Sequence, residues 1–132
     1  LEIEITETAM MEDVEITIKR LHEIHHMGVK ITIDDFGAGY SSLSHIHRLP
    51  LDTIKIDRSF ITDISSNETS KSIVRSVVDL SRNLGVGCIV EGVETARQVE
   101  ILSGIWPAAG LMDTKIRCFM KPEVSHAKAQ VQ

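Results

Sequence analysis

The stretch KITIDDFGAGYSSL, residues 30–43, sets two adjacent aspartates at the end of an alternating apolar run and follows them with a glycine-rich turn. Like charges side by side repel, so Asp34 and Asp35 call for a positive group between or beside them. Its first part, within VKITID (29–34), alternates as a half-buried strand does. Beyond the glycines, Ser41 and Ser42 can cap a short helix that carries Leu43 and Ile46 before Pro50 closes it. A strand that ends in acids, turns on glycine and enters a helix is one βα unit.

The flanking sequence repeats the unit. Residues 1–7 alternate, with Leu1, Ile3 and Ile5 on one face, and Val14, Ile18, Leu21, Ile24 and Met27 then recur at helical spacing up to Gly28. TIKID (53–57) alternates, placing Thr53, Lys55 and Asp57 opposite Ile54 and Ile56. Turn material at Ser65, Ser66 and Asn67 precedes a second helical stripe, Ile73, Val77, Leu80 and Leu84, which ends at Gly85. VGCIVE (86–91) is a further strand, and TARQVEIL (95–102) opens a helix. The order predicts an α/β protein of parallel βα repeats. Ligand sites in such folds gather at the C-terminal strand ends.

Composition bounds the function without choosing it. The 132 residues make one domain, and 14 basic against 19 acidic residues, a net charge of −5, argue against a nucleic-acid polymer as partner. Two cysteines, Cys88 and Cys118, give no disulfide framework and suggest a reducing compartment. With no run of 18 apolar residues and no signal segment, the expected location is cytoplasmic, alone or within a larger membrane-anchored protein.

Four strand ends carry charged pairs: Glu4 with Glu7, Asp34 with Asp35, Lys55 with Asp57, and Glu91 with Glu94. Any single pair is compatible with a solvated loop edge. Four in succession at the same end crowd carboxylates at a cost that cations relieve. All-oxygen ligands suit Mg²⁺ or Mn²⁺, and paired aspartates suit two-metal activation of a water against a phosphoryl group. Lys55 can offset charge on a phosphodiester or orient the attacking water. Phe36, Gly37 and Gly39 open a loop that reads either as a lid over the ions or as a rigid turn. None of His22, His25, His26, His45, His47 and His126 is assigned a catalytic role. Met10 and Met11 read as packing, and Trp106 with Pro107 as a local apolar anchor.

EITET (4–8), DDFGAGYSSL (34–43), LPLDTIKIDRSFI (49–61) and EGVET (91–95), in order and at the family's spacing, resemble the EAL family of cyclic-di-GMP phosphodiesterases. The match is clear over 1–102 and divergent over 103–132, and it corresponds to the C-terminal half of the domain. The resemblance implies roughly the C-terminal half of a (β/α)8 TIM-type barrel, which binds Mg²⁺ or Mn²⁺ and converts cyclic-di-GMP to pGpG. Position by position, Glu4, Asp34, Asp35 and Glu91 are similar to metal ligands, with Glu91 counted among the catalytic residues. Lys55 is similar to the lysine that coordinates the catalytic water, with Asp57 beside it in the metal-water network. Glu7 is similar to the glutamate that secures the loop after the paired aspartates, and Glu94 to a supporting carboxylate. That loop couples the site to dimer formation in the family.

The family's naming motif, with its glutamate and a downstream asparagine ligand, belongs to an N-terminal half that this chain does not carry. The glutamine of a late family strand has no counterpart in WPAAGLMDTKIRCFMKP (106–122), and Ala38 replaces a frequent threonine. Half a barrel is expected to expose an edge strand and an apolar inner face, inviting self-association or the missing N-terminal half as partner, and a fused sensor domain is a further expected neighbour. The alternative is a catalytically inactive remnant that binds nucleotide or dimerises. An enolase-like barrel enzyme would need a base placed for carbon-acid chemistry, and the EGVET and KID matches speak against it.

Overall fold

A computed structural model describes residues 1–10, 12–37, 43–105 and 116–120, for the last five and for Leu43 and Ser44 in backbone only. Met11, Ala38, Gly39, Ser41, Ser42, Trp106, Pro107, Leu111, Met112 and His126, and the Cys118 side chain, lie outside the described residues.

The elements run β1 (Glu2–Thr6), α1 (Glu7–Met10), α2 (Val14–His26), β2 (Lys30–Phe36), α3 (Leu43–Ile46), β3 (Thr53–Ile56), α4 (Arg58–Thr62), α5 (Glu68–Leu84), β4 (Gly87–Val93), α6 (Ala96–Ile105) and β5 (Ile116–Met120). All strand pairs are parallel, in the order β1-β2-β3-β4-β5, with β1 and β5 at the edges. The expected βα repeat is therefore present as an open sheet among the described residues.

The helices form for local reasons. The Asn67 side chain accepts from the Thr69 and Ser70 amides at 2.9 and 3.2 Å, satisfying two orphan donors at the start of α5. Gly85, at φ 69, lets the chain leave that helix through the left-handed region. One face of α5 buries Val74, Val77 and Val78. Its stripe meets Ile54, Ile56, Cys88 and Val90 of the sheet in one core with Ile31, Ile33, Phe36 and Val93. In α2, Ile18 and Leu21 are buried, while Met27, expected in the same stripe, caps the helix and is 72% exposed.

Two register shifts shape the upper end of the sheet. Ile33 pairs with Ile54 and Phe36 with Ile56, so Asp34 and Asp35 together stand opposite the single residue Lys55. Val90 pairs with Cys118 and Val93 with Met120, so Glu91 and Gly92 likewise span one position of β5. Each bulge contains a left-handed residue, Asp35 at φ 54 and Gly92 at φ 81. Strict alternation would turn Asp35 toward the core and Phe36 away from it. The inserted residue reverses both, and Phe36, expected in the loop, is the buried last residue of β2 at 4% exposure.

Among the described residues, the face of the sheet opposite the core mixes charged and polar side chains with Ile89, the register neighbour of Lys55. It carries Glu2, Glu4, Thr32, Asp34, Lys55 and Glu91, and Thr32 Oγ1 donates to Glu2 Oε1 at 2.6 Å. The large apolar residues that are exposed, Leu1, Ile16 and Met27, lie elsewhere.

Among the described residues no helix is long and apolar enough to cross a membrane.

Candidate functional site

The bulge in β2 answers the question posed by the paired aspartates. By shifting register between two core residues, it sets Asp34 and Asp35 together opposite Lys55, with neither buried in the core. The Lys55 ammonium hydrogen-bonds to Glu4 Oε1 and lies 3.5 Å from Glu91 Oε1, so one cation bridges β1, β3 and β4. The hydrogen bond to Glu4 is the main cause that raises the Lys55 pKa; the charges of Glu91, Glu4 and Asp34 act in the same direction, against partial burial. Asp35 is also held above the ordinary aspartate value, first by desolvation and then by the charges of Asp34, Asp57, Glu91 and Glu4. Three carboxylates, Glu4, Glu91 and Asp34, thus act on one ammonium.

The supporting acids occupy different settings. Glu7, expected at the end of the first strand, begins α1 and is 2% exposed; its Oε2 accepts from the Gly37 amide at 3.1 Å. Gly37 has φ 102, and a Cβ there would stand 2.8 Å from Phe60 Cε2, so both its conformation and its surroundings require glycine. Asp57 does not continue β3. It caps α4, a helix that the strand pattern missed: Oδ1 accepts from the Ser59 amide at 3.0 Å. Glu94 Oε1 is 3.9 Å from Arg58 Nη2. Gly39 lies outside the described residues.

Gln98 was not singled out from sequence, yet it is buried at 5% exposure and joins three segments. Its Oε1 accepts from the Glu94 and Thr95 amides at 2.7 and 3.1 Å, and its Nε2 donates to the Ile61 carbonyl at 2.9 Å. Its own amide donates to Thr95 Oγ1, which completes a capping box at the start of α6. The Thr-x-x-Gln spacing at 95–98 is the signal that finds it.

The histidines make local contacts. His22 Nε2 is 2.9 Å from the Arg48 carbonyl, His26 Nδ1 is 2.8 Å from the His22 carbonyl, and His25 Nε2 is 3.4 Å from Asp52 Oδ2.

The donor chemistry fits a hard divalent cation, since desolvation and then the neighbouring carboxylates hold the Asp35 pKa up and positive charge would relieve both. The expected metal cluster is nevertheless not assembled: among the described residues no group of three or more His, Cys, Asp or Glu side chains is placed to hold an ion. The Lys55 side chain lies between Glu4 and Glu91.

Comparison with known proteins places this arrangement in context. The EAL domain family model matches residues 1–105. The chain is 43% identical over 102 residues to cyclic di-GMP phosphodiesterase NbdA of Pseudomonas aeruginosa, a match that covers 77% of this chain and 13% of that protein. The structure of the PaMucR phosphodiesterase in its c-di-GMP complex superposes with TM-score 0.76 at 42% identity, over 80% of this chain and 42% of the other. Klebsiella pneumoniae BlrP1, solved with manganese and cyclic-di-GMP, gives TM-score 0.72 at 39% identity, over 79% and 26% of the two chains.

Proposed function

This chain belongs to the EAL domain family, and from that premise we propose that it is the C-terminal half of a cyclic-di-GMP phosphodiesterase domain that hydrolyses the cyclic dinucleotide to pGpG. The observation that carries the proposal is the β2 bulge, which turns Asp34 and Asp35 together toward Lys55, Glu4 and Glu91, on a scaffold similar to relatives solved with cyclic-di-GMP. In this reading Glu4, Asp34, Asp35 and Glu91 hold Mg²⁺ or Mn²⁺, with Asp57 beside them. Bound cations of that kind supply activation of a water and stabilisation of the phosphoryl oxygen. Lys55 orients the attacking water and balances the carboxylates until substrate arrives. Glu7 fixes the turn at Gly37 through its amide, and Glu94 supports the end of β4. Further ligands come from barrel strands outside these residues, supplied by another part of a longer protein or by a partner chain, in a cytoplasmic setting.

The Lys55 ammonium standing between Glu4 and Glu91 favours a second reading for the isolated chain, a binding or dimerisation module without turnover. One assay separates them. The chain is incubated with cyclic-di-GMP and excess Mn²⁺, pGpG is followed by chromatography, and Mn²⁺ affinity is measured by calorimetry beside Asp34→Asn. Product that disappears in the variant supports an active half-site; Mn²⁺ binding without product supports the module. Equal Mn²⁺ affinity in the chain and in Asp34→Asn removes Asp34 from the metal site and defeats the reading.

A further inference from the structure

We infer that the short helix α4 sets the geometry of both acid-bearing strand ends, with Arg58 and Phe60 as positioning residues. On one side the Phe60 ring packs where a Gly37 side chain would stand, 2.8 Å from its Cε2, directly after the Asp34–Asp35 bulge. On the other side the Arg58 stem packs where a Gly92 side chain would stand, 2.9 Å from its Cγ, inside the Glu91–Gly92 bulge. Both glycines have positive φ, so the residue just past the end of β2 and the bulge of β4 each present bare backbone to the same helix.

The helix is itself fixed between those strand ends. The Asp57 amide donates to the Phe36 carbonyl at 3.2 Å, and the Asp57 carboxylate caps the helix. At the other end of the helix, the Ile61 carbonyl accepts from Gln98, whose Oε1 holds the Glu94 amide. Arg58 also reaches Glu94 Oε1 at 3.9 Å. A five-residue helix tied at both ends cannot shift against one bulge without shifting against the other. Nothing in this geometry depends on a metal; only its consequence for metal affinity rests on the phosphodiesterase reading.

The test uses the whole chain with Phe60→Ala, Phe60→Leu and Arg58→Met, and Arg75→Ala on the exposed face of α5 as control. Backbone amide shifts in the metal-free protein report the geometry. Phe60→Ala is expected to move the amides of 34–37 and also those of 91–94; Arg58→Met is expected to move the same two sets, and Phe60→Leu to restore most of the parent positions. Shifts confined to 34–37 for Phe60 and to 91–94 for Arg58 overturn the inference, as do shifts no larger than those of Arg75→Ala. If Phe60→Ala fails to fold, Phe60→Leu and Arg58→Met decide the same question by smaller shifts in both sets.

Mn²⁺ titration reports the consequence. Phe60→Ala is expected to weaken affinity about tenfold or more, as for residues that orient metal ligands indirectly, with recovery in Phe60→Leu. A parent that binds Mn²⁺ and a folded Phe60→Ala that binds it equally well overturn the inference while leaving the phosphodiesterase reading intact. A parent that binds no Mn²⁺ defeats that reading instead, and the amide shifts then judge the positioning role alone.

Discussion

Asp35 holds a left-handed backbone at φ 54, which aspartate tolerates better than most residues because its short side chain can satisfy nearby polar groups. Gly37, at φ 102 and against Phe60, has no such latitude. Gly37→Ala is expected to lower stability by about 1–3 kcal/mol, seen as a lower urea midpoint at unchanged slope. Cys88 offers a residue-scale test remote from the acids. It is fully buried, and desolvation pushes its thiol from an ordinary 9.0 up to about 11, against a hydrogen bond with Ser81. Because the folded value is the higher one, this contribution is complete below pH 9 and is lost as pH rises toward 11. Two pKa units correspond to about 3 kcal/mol, so the alkaline fall in stability should be steeper in the parent than in Cys88→Ala. Equal slopes in the two proteins would refute the assignment. Chemistry at single residues was legible in sequence: acids side by side announce a charge problem. The backbone sign at Asp35 was not, since a left-handed aspartate looks like any other.

At the scale of elements, period-two and helical patterns located the first four strands and the long helices because each has one face in the core. The bulges escaped that reasoning. Ile31, Ile33 and Phe36 are all buried, a spacing of two and then three, and the extra residue shows only when Phe36 is counted with the core rather than with the loop. Helix α4 was missed for a related reason: alternation through TIKID carried the strand one residue too far, and Asp57 is a cap. The junction between α4 and α6 then predicts the role of Gln98. Gln98→Ala removes the acceptor shared by the Glu94 and Thr95 amides and the donor to the Ile61 carbonyl, and should cost about 2–3 kcal/mol. Gln98→Glu keeps the acceptor but sets a carboxylate oxygen against the Ile61 carbonyl in a buried site, so its urea midpoint at neutral pH should fall at or below that of Gln98→Ala. A midpoint for Gln98→Ala within error of the parent would show that water replaces these bonds at no cost.

Across the described residues, an open parallel sheet of five strands keeps its core on one face and gathers charged side chains at the strand ends of the other, where Ile89 is the register neighbour of Lys55. Strand alternation shows which residues share a face, but the polar face of a strand looks the same in sequence whether solvent, ligand or further strands stand over it. Lys55 is the group on which that polar face depends, because its ammonium ties edge strand β1 to central strand β3 through Glu4 and reaches β4 through Glu91. The lysine side chain is 15% exposed, while Glu4 and Glu91 are 45% and 50% exposed, so solvent screens part of the attraction. Replacing it with methionine leaves like charges facing one another and should cost about 1–2 kcal/mol at neutral pH, below the penalty for a fully buried pair. The deficit is electrostatic and partly exposed, so high salt should shrink it. Hydrogen exchange locates the effect: β1, paired on one side only, should lose protection first in Lys55→Met, while Ile31, Ile54 and Val90 on the central strands exchange as before. A loss spread evenly over all strands would mean that Lys55 supports the core rather than the edge, and an unchanged pattern would mean that the bridge to Glu4 adds nothing to the fold.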